Sequence, residues 1–325
     1  MNKNLAPVAI FVYNRLANTR GVVEALQRNY LAKDTDVFIF SDGPNILKNP
    51  ANERKVAEVR RYLKTVTGFK SFTVIERPEN FYIEKNITDG VTEIINKYGK
   101  VIVLEDDGVS APDFLTFMNG ALDFYEEKEK VMHVATFTFI KMPGDNNKTF
   151  FTTYSENTGG GWGTWKNRWD KFKWFQNENE GLSLLSPEQK DKIEMGGVFK
   201  CLDNLRAKPI PWDICWNIAI IINNGLAVNS PRALIRNNGL FNGTHFSVLN
   251  KLLGKNPFEL ELGKEGQIIF EDKIEENLEA TRLLKEFYSN IGKKSNKKTD
   301  KLIHALVRVM VKLRITKLVK KIISR

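Results

Sequence analysis

The chain has 325 residues, 42% of them hydrophobic, with 21 Phe and 6 Trp; it can bury a large core, and a disordered chain is excluded. Its formal net charge of +10 sits at one end, because Lys293 to Arg325 holds 12 Lys and Arg against the single acid Asp300, or +11, and leaves −1 for the other 292 residues. A neutral body with a basic tail is unlike a nucleic-acid-binding fold, and two cysteines, Cys201 and Cys215, exclude a disulfide framework and fit a reducing cytoplasm.

The first predicted strand is PVAIFVY, residues 7–13, a continuous apolar run that reads as a core strand rather than a signal peptide. No stretch approaches the ~20 apolar residues of a membrane span. Thr19 is expected to cap a helix over GVVEALQRNY, and DVFIF, residues 36–40, is the second strand, stopped by Ser41-Asp42-Gly43-Pro44. A charged helix over 52–64, a strand in FTVIERPENF, a helix in ITDGVTEIINKYG and the strand VIVLEDD follow. This alternation predicts a doubly wound α/β sheet, in which ligands bind outside the carboxyl ends of the strands. Those ends are Tyr13-Asn14-Arg15, Ser41-Asp42-Gly43 and Glu105-Asp106-Asp107. Beyond residue 150 the pattern loosens and becomes rich in Trp, Asn and Gly, which suggests an acceptor-facing half.

Glu105, Asp106 and Asp107 emerge together from a buried strand. Their like charges repel unless a cation sits among them, and carboxylate oxygens suit Mg²⁺ or Mn²⁺. The plainer alternative is an acidic turn before the next helix.

Several segments in consistent order, from about residue 7 to 246, resemble the GT-A glycosyltransferases, including N-acetylglucosaminyltransferase I and the bacterial inverting sugar transferases. The segments are KNITDGVTEIINKYGKVIVLEDDGVSAPDFLTF, GGGWGTWKNRWDKF from Gly159, IPWDICWN from Ile210 and NNGLFNGTHF from Asn237. The resemblance implies a Rossmann-like GT-A nucleotide-sugar-binding fold with a mixed central sheet over 1–250; the residues beyond it read by themselves as a helical extension over 251–292 and a basic amphipathic helix over 293–325.

It also implies roles. Asp107 and His245 fall where the family places metal ligands, and Glu105 and Asp106 where metal waters or ribose are held. Asp42 is placed to read uracil or ribose, Asn14 and Arg15 to contact base or diphosphate, and Lys85 or Asn86 to reach the nucleotide. Asp213 stands as the base that deprotonates the acceptor hydroxyl in an inverting transfer, flanked by Trp212 and Trp216; as a local feature it also reads as a helix cap. The glycines beside Trp162 suggest a mobile loop that brings Trp162 and Trp165, with Trp212, to the sugar or acceptor, while Trp169 and Trp174 pack.

The expected activity is therefore a metal-dependent inverting transfer from a nucleotide sugar, a UDP-sugar by the family analogy, to a glycan or lipid-linked glycan in bacterial surface polysaccharide synthesis. The basic tail from Lys301 alternates cationic and apolar faces, as does an interfacial helix at the cytoplasmic face of a membrane; a solvated tail or an oligomer contact is the other reading. A nucleotidyltransferase shares the sheet and acids but needs a Gly-rich phosphate loop near the first strand, and VAIFVYNRLANTR has no glycine. A noncatalytic carbohydrate-binding protein has no need of Asp213 or the acidic triplet, and a nucleic-acid binder is not expected.

Overall fold

The computed structural model describes residues 4–136, 138–144, 147–154, 160–237 and 261–294. Its centre is an eight-stranded mixed sheet. Four parallel strands form one side: β1 (Val8–Val12), β2 (Asp36–Ser41), β3 (Ser71–Glu76) and β4 (Lys100–Glu105). A short β5 (Gly108–Ser110) leaves the sheet to pair with β10 (Ile235–Asn237), and β6 (Val131–Ala135), β7 (Phe150–Thr152), β8 (Gly160–Trp165) and β9 (Leu226–Asn229) complete the other side. The order is β3-β2-β1-β4-β8-β6-β9-β7, with β8 and β7 antiparallel to their neighbours.

Alternation along the strands fixes the layers. Val8, Ile10 and Val12 of β1, with Ile102 and Leu104 of β4, join a core with α1 (Leu16–Gln27), α2 (Ala51–Leu63) and α4 (Phe114–Phe124). Ala9, Phe11, Val101 and Val103 face the opposite core with α3 (Tyr82–Tyr98), α5 (Lys166–Trp169) and α8 (Trp212–Ile222). Burial on both faces requires continuous apolar runs, and β1 and β4 supply them. β3 is the outermost of the parallel strands and correspondingly alternates exposed and half-buried residues. α1 begins at Leu16, so Thr19 lies buried inside its first turn rather than at the cap.

A satellite core gathers α6 (Glu178–Ser183), α7 (Pro187–Ile193), the other face of α8 and α9 (Leu278–Lys294). Residues 261–277 correct the expected helical extension. They are non-helical chain laid on the sheet layer, where Ile269 N donates to Asn147 O at 2.8 Å, Thr149 N donates to Ile269 O at 2.9 Å and Phe270 packs on Phe117, Phe124 and Tyr125. Helix resumes only at Leu278, and Ala280 and Leu284 are buried. The basic segment from residue 295 lies outside the described residues. Among the described residues, no helix is long and apolar enough to cross a membrane.

Candidate functional site

The order β3-β2-β1-β4 reverses direction between β1 and β4, since the chain builds outward from β1 on one side and returns to its other side with β4. The loops leaving those two strands therefore diverge and open a crevice at their carboxyl ends. Arg15 enters it from β1, and Glu105, Asp106 and Asp107 from β4.

The two groups meet directly. Arg15 Nε donates to Asp106 Oδ2 at 3.1 Å, and Nη2 donates to Asp106 Oδ1 and, at 3.2 Å, to Asp107 Oδ2. The like-charge conflict expected to call for a metal is thus partly relieved by a guanidinium. Three of the four carboxylate oxygens are engaged this way. The fourth, Asp107 Oδ1, is buried without a hydrogen-bond partner among the described residues. Burial pushes the Asp106 carboxyl up to about 6 against the pull of Arg15, and raises Asp107 for the same reason. Burial also works against the charged Arg15, but the hydrogen bond and charge of Asp106, then those of Asp107, outweigh it and hold the guanidinium above its ordinary value. Glu105 is raised furthest, by burial and then by Asp107, Asp106 and Asp213.

Asp213 is therefore near enough for its charge to act on Glu105. It lies in the first turn of α8, with its Oδ1 accepting from Ile214 N at 2.9 Å, and Pro211, not Asp213, is the cap residue. Burial raises its carboxyl, the N–H groups of the helix start oppose this, and Glu84 in the first turn of α3 adds to it. The N-terminal position favours the carboxylate through the helix dipole.

α8 is held there by aromatics, which corrects the expected Gly-Trp loop. Trp162 is 0% exposed, in β8, between His133 at 5.4 Å and Trp212 at 5.2 Å between ring centroids. Trp169 packs at a tilt on Trp216, 5.1 Å between ring centroids, and Trp216 Nε1 donates to His133 Nδ1 at 3.1 Å. Trp212 is buried in this stack, and Trp165 is buried in the other layer, where its Nε1 donates to Leu122 O at 2.9 Å. Trp162, Trp165 and Trp212 are therefore core, and none presents a face to a sugar. The glycines serve packing as well: Gly160 has φ +80°, and a Cβ there would lie 2.6–2.7 Å from Glu105 N and Leu104 Cα. Side chains are excluded where β8 crosses the backbone of the acidic turn.

Asp42 is also redirected. Its Oδ1 accepts from Gly43 N at 2.9 Å and Phe81 N at 2.7 Å, and its Oδ2 from Asn80 Nδ2 at 2.9 Å. The carboxylate fastens the loop before α3 instead of standing free to read a base. Asn14 donates to Asn52 Oδ1 at 2.9 Å, and Asn52 donates to Asn45 O at 2.9 Å. Asn86 is buried and accepts from Arg77 Nε at 3.3 Å. Lys85 is exposed and paired with Asp89. Thus Arg15, Asp106 and Asp107 meet directly, and Glu105 feels their charge and that of Asp213; Asn14, Asn86 and Asp42 are held by neighbouring polar groups, and Lys85 lies on the surface. His245 lies outside the described residues.

Tyr13, at the strand end read from the sequence, accepts from Asn45 N at 3.1 Å through its hydroxyl. Two residues escaped the sequence reading. Arg77, at the end of β3, sits over the Phe40 and Phe81 rings at 5.0 and 5.1 Å. Tyr82 is exposed, in a left-handed conformation at φ 57°, and its hydroxyl accepts from Asn45 Nδ2 at 3.0 Å. The rule about strand ends, applied to β3 as well, finds Arg77.

Among the described residues, no three His, Cys, Asp or Glu side chains form a cage for a metal. The orphaned Asp107 Oδ1 nevertheless fits a cation held by one carboxylate and completed by substrate oxygens and water, as Mg²⁺ commonly is. No family model matches the chain, and no curated protein does. Among solved structures it is similar to S. aureus TarS 1-349, at 11% identity over 70% of this chain and 59% of that one, with a TM-score of 0.39. It is also similar to S. aureus TarS, at 11% identity over 70% of this chain and 36% of that one, with a TM-score of 0.36. The chain therefore spans less than two thirds of either.

Proposed function

We propose that the protein is a metal-dependent inverting glycosyltransferase that moves a sugar from a nucleotide donor, a UDP-sugar, to a hydroxyl of a glycan or lipid-linked glycan in surface polysaccharide synthesis. The observation that carries this reading is the convergence of a paired acidic turn, a basic side chain and a separate carboxylate, Asp213, at the topological switch point of a doubly wound sheet. The ordered resemblance to GT-A transferases over residues 7–246 supports it.

The chemistry follows from what each group offers. Arg15, above its ordinary pKa, is a permanent cation suited to a diphosphate oxygen. Asp107, with His245 as the family places it, would hold Mn²⁺ or Mg²⁺, which neutralises charge on a departing diphosphate when bound. Asp213 takes the proton of the acceptor hydroxyl while that oxygen bonds to the anomeric carbon. The bond from that carbon to the diphosphate oxygen breaks on the opposite face, and its electron pair leaves with the diphosphate. A carboxyl raised by burial is a better base near neutral pH. The basic segment 293–325 would hold the enzyme at the cytoplasmic face of a membrane, beside a lipid-linked acceptor.

Titration calorimetry with UDP- and GDP-sugars, with and without Mn²⁺, tests the reading. Mn²⁺-dependent binding of one nucleotide class, lost in Asp107→Ala, is the expected result. Absence of nucleotide binding under every condition overturns it.

A further inference from the structure

Arg15 occupies the place where charge balance alone calls for a metal ion. It engages both oxygens of Asp106 and one of Asp107, its side chain is 36% exposed, and the two acids are 7% and 14% exposed. Two carboxylates against one guanidinium leave the turn short of one positive charge. The buried Asp107 Oδ1, unpartnered among the described residues, marks where that shortfall is felt. A divalent cation drawn there meets the positive Arg15 fork across the same carboxylate. Two positive charges on one carboxylate repel, so both cannot hold Asp107 at full strength.

We propose that Arg15 is the resident counter-cation of the acidic turn, and that it competes with a divalent cation for the Asp106–Asp107 pair. Cation binding loosens the Arg15–Asp107 contact and turns a guanidinium N–H toward the crevice, where a donor diphosphate oxygen is its natural partner. Cation and diphosphate then reinforce each other's binding, because each relieves a cost imposed by the other's absence. Arg15 is thus a positioning residue for the acidic turn in the free protein and a donor contact in the loaded one. The inference rests on the metal-dependent reading above and adds a direction of effect that this reading alone does not contain.

Mn²⁺ titration followed by electron paramagnetic resonance, without nucleotide, on the full chain and on Arg15→Gln and Arg15→Lys, reads the competition without catalysis. Arg15→Gln should bind Mn²⁺ about tenfold more tightly than wild type, since a repelling charge is gone, and Arg15→Lys, which keeps the charge, should stay within about threefold. UDP should tighten Mn²⁺ binding in wild type more than in Arg15→Gln. As a measure independent of any variant's folding, Mg²⁺ should shift the Arg15 Nε–H resonance of the wild-type protein and speed its exchange with water. Equal or weaker Mn²⁺ binding by Arg15→Gln, or an Arg15 resonance indifferent to Mg²⁺, overturns the competition and leaves the transferase reading standing. No Mn²⁺ bound by any form, with or without UDP, removes both.

Discussion

Asp213 and His133 show how burial sets the chemistry of single residues. Asp213 combines a carboxyl raised by burial with a helix start that stabilises its charge, two opposing influences on one base. Asp213→Asn keeps the shape and removes the base. It should leave donor affinity within a few-fold of wild type and lower the transfer rate by roughly 10²–10⁴, measured by calorimetry beside product formation; an equal loss in both makes Asp213 a binding residue instead. His133 is the opposite case. It is fully buried in the Trp stack, and burial pushes its imidazole down to about 3. The unfolded chain takes up that proton below about 6.5 while the folded one does not. Its effect is therefore absent above pH 6.5, and stability is lost as pH falls from there toward 3. The advantage of wild type over His133→Asn in urea unfolding should shrink by about 2 kcal/mol between pH 7 and pH 5. An unchanged difference would mean that the imidazole is not held neutral.

Among the elements, β8 and α8 do the work that positions the site. β8 runs antiparallel between β4 and β6, and its pairing shifts register at Val103/Leu104, just before the acids. Gly160 and Gly161 take left-handed φ there, at +80° and +74°. A side chain at Gly160 would meet backbone on β4, and one at Gly161 would meet Ile235 Cγ1 at 2.3 Å. Gly160→Ala should cost at least about 2 kcal/mol by thermal or urea unfolding, from the left-handed backbone and the clash together. It should also weaken donor binding, because the neighbouring backbone carries Glu105. Asp213 depends likewise on the buried stack of Trp162, Trp169, Trp212 and Trp216, which presses α8 onto the sheet. Trp162→Phe keeps an aromatic in that stack; its expected effect is reduced stability with donor affinity intact, and selective loss of sugar binding would restore Trp162 to the ligand.

For the whole molecule, residues 261–294 belong to the same packed body as the sheet. Tyr125 Oη donates to Glu271 O at 2.9 Å and pairs with Thr149 Oγ1 at 2.8 Å, while Leu284 of α9 is buried in the satellite core with α7 and α8. Leu284→Ala should therefore destabilise the protein by about 2–5 kcal/mol, and truncation before residue 278 should open the satellite core that α9 helps to close. Unfolding midpoints of both forms check this, and a truncated form as stable as the full chain would make α9 an appendage.

What the sequence determined by itself was whatever depends on short-range pattern. The apolar runs of β1 and β4, the alternation of strand and helix and the three acids after Leu104 are local facts, and local burial rules translate them into a doubly wound sheet with polar strand ends. What it could not determine were partners distant along the chain. The counter-cation of the acids is a side chain 91 residues away; of the tryptophans marked for a sugar, Trp162 and Trp212 stack between β8 and α8 and Trp165 packs in the other layer; Gly160, read as part of a mobile loop, answers to backbone on β4. Asp42 looked free because Asn80 and Phe81 reach it only after β3 has returned to the sheet. A chain one residue at a time declares which groups need a partner, and only the closed fold, by excluding water from them, decides which partner each one has.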